Sequence, residues 1–480
     1  MIRSDRMAAV DRNAEALGIP RKQLMESSGN AIARVVREHV SPGERVVFVC
    51  GRGNNGGDAF VAARFLSEYQ TETILLGKPE TITTVIAKEN WDALRNSESK
   101  TQVVRDSSEL SSIDLDSADV VVDAMIGTGV SGSLREPEAT AAHVINDTDA
   151  VTVAIDVPSG IDADTGKAAG IAVNADYVVT FHDTKPGLET LSASVTVHDI
   201  GIPDAASVFV GPGDLDAEKR ASESHKGDHG TVAVIGGGPY TGAPTLTARA
   251  ALRSGTDLVR VVVPEVIARE VQGFSENLIV RSYAGDRLTP EQLESVMPIA
   301  ADNDVVVLGP GLGDHPETIE AVGQFLQSYD GKAVIDADAL SVVPDVDTNA
   351  TLICTPHQGE LKKMGGKTDI AWRERKALVE SFAGQIEQTV LVKGAYDIVT
   401  DGKETRVNRT GNPGMTVGGT GDVLAGVTGS LFATSPPLTA ASVGAYLTGT
   451  AGDIAFEQSG NGLMATDLID LLPEARRTHE

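Results

Sequence analysis

Cysteine is almost absent from this 480-residue chain, which contains only Cys50 and Cys354. The two are far apart in sequence and each ends an apolar run, so we expect no disulfide framework and no CxxC metal motif. The chain also lacks any run of about 18 apolar residues, the length that a membrane-spanning helix needs. Its polar N terminus has no apolar signal-peptide segment. These absences predict a cytoplasmic protein without a membrane partner.

Basic residues are scarce relative to acidic ones. Lysine and arginine total 40 against 68 aspartate and glutamate residues, which gives a formal net charge of -28. Because nucleic-acid phosphates are bound by basic surfaces, this balance argues against nucleic acid as the main partner. A strongly anionic surface is typical of a protein kept soluble in a salt-rich cytoplasm. We therefore expect a prokaryotic, haloarchaeal source.

The sequence does contain a recurring pattern of short β-branched runs, each followed by a glycine-rich turn and a helix-like stretch. Examples are Arg45–Cys50, Val151–Ile155, Val232–Ile235 and Val390–Val392. Continuous apolar strands that alternate with helices indicate parallel sheets covered on both faces. Ligands of such α/β sheets bind beyond the carboxyl ends of the strands. We therefore expect the binding residues at strand ends.

The pattern is interrupted near residues 205 to 228, the expected domain boundary, where the polar segment DAEKRASESHKGDHG begins at residue 216. It has no apolar periodicity, and the strand–turn–helix pattern restarts after it. The motifs on its two sides differ. We therefore predict two unlike domains, residues 1–215 and 216–480, and not an internal repeat.

The first glycine loop, in RVVFVCGRGNNGGDAFVAARFL, places polar and glycine residues where a helix should begin. Backbone N–H groups at a helix N terminus attract phosphate, and glycine allows close approach. Asp58 would repel phosphate, but it could cap the helix or hold a ribose hydroxyl. The alternative is a tight turn with an Asx cap. Two further strand ends carry Asp123, Asp156 and Ser159, and three polar loops at one sheet edge should converge on one site.

LMESSG, GNNGGD, DAMIGTG and DVPSG, in this order and spacing, resemble the NAD(P)H-hydrate epimerase domain, which implies a Rossmann-like three-layer fold. The resemblance implies that Asp156 is the acid or base that interconverts the 6-hydroxyl epimers. It also implies a potassium ion bound by Asn55, Asp123 and Ser159, which offer the hard oxygen ligands that such ions prefer. Binding of the hydrated cofactor is implied for Asn54, Asn55, Gly56, Gly57, Asp58, Gly127, Thr128, Gly129, Val130, Ser131, Gly132, Ser133 and Asp156.

The most informative motif of the second half is GNPGMTVGGTGDVLAG, in which glycines precede Asp422 at the start of a predicted helix. Backbone N–H groups of such a loop make an anion hole, and the helix dipole assists it. Asp422 is placed to take a proton from a hydroxyl next to a phosphoryl group. The alternative is a glycine turn with a capping aspartate. Alone, the motif suggests the ribokinase-like superfamily, in which this aspartate is the base for phosphoryl transfer.

Its companions SHKGDHG, TGAP, GPGLG, TPHQGE and KGAYD narrow the resemblance to ADP- or ATP-dependent NAD(P)H-hydrate dehydratases, over roughly residues 222 to 478. Nearly the whole chain thus resembles the bifunctional NAD(P)H-hydrate repair enzymes. The resemblance implies that Asp422 is catalytic and that the hydrate is contacted by Ala243, Gly313, His357 and Asp422. An AMP moiety would be held by Lys393, Gly394, Ala395, Tyr396, Asp397 and Gly421. The structural alternatives are a turn histidine at His357 and a surface lysine at Lys393.

The sequence therefore predicts an isomerase joined to a lyase that repairs NADHX and NADPHX. Hydroxide is a poor leaving group, so we expect the C6 hydroxyl to be phosphorylated by ADP or ATP, with Mg²⁺ on the nucleotide, before phosphate is eliminated. A prokaryotic source favours ADP, but no residue decides between the two donors. The resemblance also implies a homo-oligomer.

Two alternatives come from other functional classes. One is a ribokinase-like kinase of a vitamin or sugar, which would release a stable phosphorylated product. The other makes the N-terminal domain a binding or scaffold module. The carboxylates at its strand ends argue against the scaffold, because a scaffold does not need them.

Overall fold

The computed structural model describes residues 1–128, 132–218 and 223–477. The chain forms two compact units, Met1–Ala206 (unit 1) and Ser207–Glu480 (unit 2). The sequence placed the division after residue 215, inside the helical turn Pro212–Glu218. In the described part of the chain, no helix has the length and apolar character that crossing a membrane requires.

Unit 1 is built on a seven-stranded sheet. Its strands are β1 (Arg45–Cys50), β2 (Gln70–Leu76), β3 (Lys100–Val104), β4 (Val120–Ala124), β5 (Val151–Ile155), β6 (Tyr177–Phe181) and β7 (Ser194–His198). All neighbouring strands are parallel, in the order β3-β2-β1-β4-β5-β6-β7. The strand order reverses between β1 and β4, and a crevice that binds ligands forms at such a switch point.

Helices cover both faces of this sheet. They are α1 (Ser4–Ala16), α2 (Arg21–His39), α3 (Asn54–Phe65), α4 (Val85–Asn96) and α5 (Glu138–Asn146), followed by α6 (Asp204–Val208) at the end of the unit. Successive β1 residues point to opposite faces: Val46 and Phe48 join one apolar cluster, whereas Val47 and Val49 join another. The continuous apolar run of β1 is therefore explained by burial on both sides.

Unit 2 contains a nine-stranded sheet. Its strands are β8 (Thr231–Ile235), β9 (Leu258–Pro264), β10 (Ile279–Tyr283), β11 (Val305–Leu308), β12 (Lys332–Ile335), β13 (Thr351–Cys354), β14 (Thr389–Val392), β15 (Asp397–Thr400) and β16 (Thr405–Asn408). The order is β10-β9-β8-β11-β12-β13-β14-β15-β16. Strands β8 to β14 are parallel, as predicted, whereas β15 pairs antiparallel with both β14 and β16. Only residues 393–396 separate β14 from β15, too few for a parallel crossover.

Nine helices of the described chain belong to unit 2. They are α7 (Gly242–Ser254), α8 (Glu265–Gly273), α9 (Leu293–Ala301), α10 (Pro316–Ser328), α11 (Gln358–Lys363), α12 (Trp372–Ile386), α13 (Thr420–Phe432), α14 (Pro437–Ser459) and α15 (Ala465–Arg477). Helix α13 packs closely on α7 at Gly426. The contact is so tight that a Cβ atom on Gly426 would overlap the carbonyl oxygen of Thr247. The glycine therefore fixes where α13 begins relative to the sheet.

We predict that Gly426→Ala destabilises unit 2 by about 1–3 kcal/mol, the usual cost of overpacking a tight core. The added methyl group must push α13 away from the backbone of Thr247. Urea unfolding of the full chain measures the change. Gly273→Ala is the matched control, because that glycine ends α8 with open space around it. Equal unfolding midpoints for the two variants would contradict the prediction.

Candidate active sites

The first candidate site lies at the carboxyl ends of β1, β4 and β5. Helix α3 begins at Asn54, so the predicted polar loop forms its first turn. Asn55, Gly56 and Gly57 are buried there. The fit is tight, because a Cβ atom on Gly56 would overlap the carbonyl oxygen of Gly51. Only glycine allows this helix to start so close to the end of β1.

Asp123 and Ser159 form a fully buried pair across β4 and the loop after β5. Ser159 donates its Oγ hydrogen to Oδ1 of Asp123 at 2.6 Å and its backbone N–H to Oδ2 at 2.7 Å. The backbone N–H of Met125 donates to Oδ1 at 3.2 Å. Burial nevertheless raises the pKa of Asp123 to about 6, and the hydrogen bonds only partly oppose it. A buried carboxylate of this kind favours a cation beside it.

Asn55 contacts the end of β5 and the loop that follows β4. Its Nδ2 atom donates to the carbonyl oxygen of Ile155 at 3.2 Å, and a Cβ atom on Gly127 would lie 3.4 Å from its side chain. Thr128 is half-buried in the same segment, whereas Gly132 and Ser133 are exposed. Of the predicted binding loop, Gly129, Val130 and Ser131 lie outside the described residues.

Asp156 follows β5 with φ of +65°, a conformation that a side chain other than glycine adopts at a cost. Its Oδ1 atom lies 2.6 Å from Nζ of Lys185 and accepts the hydroxyl hydrogen of Thr180 at 3.0 Å. Lys185 is only 1% exposed, and its Nζ also donates to Oγ1 of Thr180 at 2.7 Å and to the carbonyl oxygen of Phe181 at 3.2 Å. The strained residue is thus held by a buried cation.

Two more carboxylates surround Asp156. Burial raises the pKa of Asp58 well above its ordinary value, and the charges of Asp156 and Asp11 raise it further. Burial also raises the pKa of Asp11, on α1, to about 6, with Arg21 opposing. The structure therefore groups two carboxyl groups of raised pKa with one salt-bridged carboxylate, an arrangement that suits acid–base chemistry.

Sequence reasoning missed Asp11, Thr180 and Lys185. Asp11 left a signal, because it lies one turn from Met7, on the side of α1 that is buried. A carboxylate on an apolar helix face often has a functional reason. Lys185 left none, since a lysine after a strand usually lies on the surface.

The second candidate site begins at the carboxyl ends of β8 and β11. Ala243 lies in the first turn of α7, as predicted. A Cβ atom on Gly311 would lie 3.2 Å from Cβ of Ala243, and one on Gly313 would lie 3.1 Å from Pro239. Both glycines have positive φ, +73° and +76°. The GPGLG loop and the start of α7 are therefore neighbours.

His357 caps the N terminus of α11. Its Nδ1 atom accepts the backbone N–H of Gly359 at 2.9 Å and of Glu360 at 3.0 Å, while Oε2 of Glu360 accepts the backbone N–H of His357 at 2.7 Å. This capping box is the turn histidine that the sequence left as an alternative. Because Nδ1 accepts, the neutral ring carries its proton on Nε2. The ring is 59% exposed, so it remains accessible to a ligand.

The turn between β14 and β15 carries the predicted nucleotide segment. Gly394, Ala395 and Tyr396 are exposed. Asp397 holds the turn, because Oδ1 accepts the backbone N–H of Gly394 at 2.9 Å and Oδ2 accepts from Nδ2 of Asn408 at 2.9 Å. Burial raises the pKa of Asp397 to about 6. This carboxylate therefore shapes the turn and has a structural role of its own.

Lys393, Gly421 and Asp422 meet at the start of α13. Gly419 has φ of +97° and is followed by the first turn of the helix, which contains Asp422. A Cβ atom on Gly421 would lie 3.4 Å from Nζ of Lys393. Burial raises the pKa of Asp422 to about 7; the charge of Asp336 adds to the rise, and Lys393 opposes it. A carboxylate that titrates near neutrality can accept a proton in a reaction at that pH.

The SHKGDHG segment does not lie with these residues. It precedes β8, at the opposite end of the strand, and is held by Asp257, whose Oδ2 accepts the backbone N–H groups of Gly227 at 2.7 Å and His229 at 3.0 Å.

Sequence reasoning missed Asp336, which lies directly after β12 and so also ends a strand. Its Oδ1 lies 2.9 Å from Nζ of Lys393.

The folds and sites define a class of protein: a two-unit α/β enzyme with a Rossmann-like unit and a second unit whose polar residues meet at the start of a helix. A family model for NAD(P)H-hydrate dehydratase matches residues 232–474, and one for the YjeF-related protein N-terminus matches residues 21–187. The chain is 43% identical to a bifunctional NAD(P)H-hydrate repair enzyme of Archaeoglobus fulgidus, covering 99% of this chain and 98% of that protein. It is 42% identical to the one of Methanothermobacter thermautotrophicus, covering 97% and 93%.

The chain belongs to the family of bifunctional NAD(P)H-hydrate repair enzymes. This confirms the prediction of an epimerase joined to a dehydratase. The haloarchaeal source stays a prediction. Among solved structures, a ribokinase-like superfamily protein of Enterococcus faecalis aligns with a TM-score of 0.50 at 24% identity, covering 57% of this chain and 96% of that one. The α/β fold class, with its ribokinase-like part, is confirmed.

We predict that Asp422→Asn stabilises unit 2 at pH 8 by up to about 4 kcal/mol, because one pKa unit corresponds to about 1.4 kcal/mol. The folded chain holds the Asp422 proton up to about pH 7, whereas the unfolded chain releases it near the ordinary value of 3.8. The stability that this proton contributes is therefore lost as the pH rises between those values. The neutral amide avoids this loss.

Urea unfolding at pH 5 and at pH 8 measures the effect, which should be much smaller at pH 5. Asp338→Asn, at an exposed carboxylate, is the control and should change stability by less than about 0.5 kcal/mol at either pH. A variant no more stable than the wild type at pH 8 would show that Asp422 is not destabilised by burial.

Proposed function

We propose that the site in unit 1 interconverts R- and S-NAD(P)HX and that the site in unit 2 dehydrates S-NAD(P)HX at the expense of a nucleotide. We assign the two activities to residues 1–215 and 216–480. The observation that carries the proposal is the group of Lys393, Gly421 and Asp422 at the N terminus of α13. A cation, an anion-binding backbone and a base near neutral pKa are the parts that phosphoryl transfer needs.

In unit 1, Asp156 acts as the acid or base at the C6 hydroxyl. Its Oδ1 atom lies 2.6 Å from Nζ of Lys185, and burial raises the pKa values of the neighbouring carboxyl groups of Asp58 and Asp11. The hydrate lies between the start of α3 and the loop that follows β4. Its proposed ligands there are Asn54, Asn55, Gly56, Gly57, Asp58, Asp156 and the 127–133 loop.

A potassium ion held by Asn55, Asp123 and Ser159 fits the chemistry of these residues. Asp123 is buried, and its raised pKa indicates that three hydrogen bonds do not compensate its charge. The Asn55 amide oxygen and the Ser159 hydroxyl add hard oxygen ligands. The bound ion would supply a fixed positive charge at the end of β4, which keeps Asp123 ionised.

In unit 2, Asp422 accepts the proton of the C6 hydroxyl as that oxygen attacks the terminal phosphoryl group of the nucleotide. The N–H groups at the start of α13 hold the transferring oxygens, and a Mg²⁺ ion bound with the nucleotide would supply positive charge beside them. Phosphate then leaves C6 with loss of a ring proton, which restores the dihydropyridine. With ADP the products are NAD(P)H, phosphate and AMP.

The other proposed ligand-binding residues of unit 2 are divided between the hydrate and the nucleotide. Ala243 and Gly313 line the hydrate beside the GPGLG loop, and the exposed edge of His357 faces the ligand. The turn from Lys393 to Asp397 holds the AMP moiety together with Gly421. ADP as the donor, a cytoplasmic location and a homo-oligomeric state stay predictions.

Recovery of 340 nm absorbance from a mixed-epimer NADH hydrate preparation tests both activities. We expect full recovery by the wild type with ADP or ATP and Mg²⁺ in high KCl. Asp422→Ala should lower the rate by at least about 10²-fold, as loss of a general base does. Asp156→Ala should stop recovery at the S fraction, apart from spontaneous epimerisation, because only the epimerase reaches the R form.

Each outcome separates the two assignments. If Asp156→Ala recovers the R fraction as fast as the wild type, then Asp156 is not the epimerase acid or base. If folded wild-type enzyme consumes nucleotide without restoring absorbance and a phosphorylated product accumulates, the kinase alternative replaces the dehydratase. Asp338→Asn, at an exposed carboxylate, should behave as the wild type.

We further predict that potassium stabilises unit 1. At pH 8, KCl should raise the thermal midpoint by roughly 3 °C over choline chloride at equal ionic strength, since about 1 kcal/mol of binding energy gives such a shift in a unit of this size. Asp123→Asn should abolish the difference, because an amide lacks the charge. Asp116→Asn, at an exposed carboxylate of the same unit, should retain it. Equal midpoints in the two salts would exclude the ion.

A further inference from the structure

Asp336 is a buried carboxylate at the carboxyl end of β12 to which the proposed function gives no role. It is 3% exposed. Its Oδ1 atom accepts the hydroxyl hydrogen of Thr355 at 2.8 Å and lies 2.9 Å from Nζ of Lys393. A charge so deeply buried is costly unless it is paired, and Lys393 is its only cationic partner among the described side chains.

The main chain of Asp336 is fixed as firmly as its side chain. A Cβ atom on Gly309 would overlap the carbonyl oxygen of Asp336, so the GPGLG loop packs directly on this residue. Its backbone N–H donates to the carbonyl oxygen of Leu308 at 3.1 Å. Asp336 thus cannot shift without moving the loop that lines the proposed hydrate site.

Lys393 is held by contacts on three sides. Its backbone N–H donates to the carbonyl oxygen of Pro356 at 2.9 Å, its Nζ lies 3.8 Å from Oε2 of Glu360, and Gly421 bounds it at the start of α13. Although burial opposes it, the charges of Asp336 and Glu360 raise the pKa of Lys393. The side chain is therefore an ammonium ion whose Nζ is held beside Asp336, Glu360 and the start of α13.

We propose that Asp336 is a positioning residue of the dehydratase: it anchors the Lys393 ammonium against the first turn of α13, so that a phosphoryl group bound there meets a fixed cation. The inference rests on the proposed function of unit 2. A free lysine loses rotamer freedom when it binds phosphate. An anchored lysine has lost that freedom already and needs no reorganisation in the transition state.

Asp336 also acts on the charge of Asp422. Asp336 raises the pKa of Asp422 and Lys393 lowers it; Glu360 acts on the same ammonium. On the helices that pack against α13, Arg249 and Asp470 lie 3.9 Å apart as an ion pair. Removing the negative charge of Asp336 takes away one cause of the raised pKa of Asp422. It also leaves the positive charge of Lys393 less neutralised, which lowers the pKa of Asp422 further. The acid limb of the rate profile should then move to lower pH.

The test is a double-mutant cycle on the full chain with Asp336→Asn, Lys393→Met and the double variant. NADH recovery and nucleotide consumption are followed between pH 5 and 9 with ADP and Mg²⁺. We expect Asp336→Asn to lower kcat by about 10- to 100-fold, as small misplacements of catalytic groups do, with a smaller change in KM for ADP. Its acid limb should lie at lower pH than that of the wild type. The double variant should be no slower than Lys393→Met, because Asp336 acts through Lys393.

Two controls keep the result interpretable. Asp338→Asn removes an exposed carboxylate two residues away and should leave kcat and the pH profile unchanged. If Asp336→Asn does not fold, Thr355→Val replaces it: this variant loses the 2.8 Å hydrogen bond to Asp336 but no charge. It should lower kcat several-fold with the acid limb unmoved.

The inference is overturned if kcat is unchanged in the variant tested. It is also overturned if the fold-losses in kcat of Asp336→Asn and Lys393→Met multiply in the double variant. Failure of the proposed function looks different: the wild type itself would then consume nucleotide without restoring NADH. In that case the double-mutant cycle, measured by the rate of nucleotide consumption, would still show whether Asp336 acts through Lys393.

Discussion

A backbone contact too close for any residue but glycine sets the geometry of both units. Where β1 ends, Gly51 faces the carbonyl oxygen of Met125 at the end of β4; where β8 ends, Gly236 faces that of Pro310 at the end of β11. A Cβ atom would overlap the carbonyl in either case. Both contacts bridge the point where the strand order reverses. The crevice beside them can therefore admit a ligand without being filled by side chains.

Both sites also bury carboxylates. Burial raises the pKa of Asp123, in β4, to about 6 and that of Asp422, in the first turn of α13, to about 7. In each unit a lysine pairs with a neighbouring carboxylate: Lys185, which is buried, with Asp156, and Lys393, whose side chain is 20% exposed, with Asp336. Both sites thus combine a carboxylate paired with a lysine and a second carboxylate whose pKa is raised by burial. This arrangement suits proton transfer in one unit and phosphoryl transfer in the other.

Much of this could be predicted from the sequence, because apolar runs and strand-end motifs are local signals. The glycine loop before Asp422 predicted a helix start, and α13 begins at Thr420. The carboxylates of Asp123 and Asp156 were expected at one sheet edge because parallel strands end together. The prediction of parallel sheets is confirmed, but the sequence did not reveal that a short turn reverses the chain at β15 and makes its pairing antiparallel.

The fold class, the family and the residue types at the strand ends follow from the sequence alone, because each depends on patterns within a few neighbouring residues. The pairs of charges that meet became visible only in the folded chain. Asp11 reaches Asp156 from α1, Lys185 lies buried after β6, and Asp336 pairs with Lys393 across two strand ends. These partners are separated by tens of residues, and their pKa values depend on burial. Neither contact nor desolvation is encoded in local sequence; both arise when the chain folds.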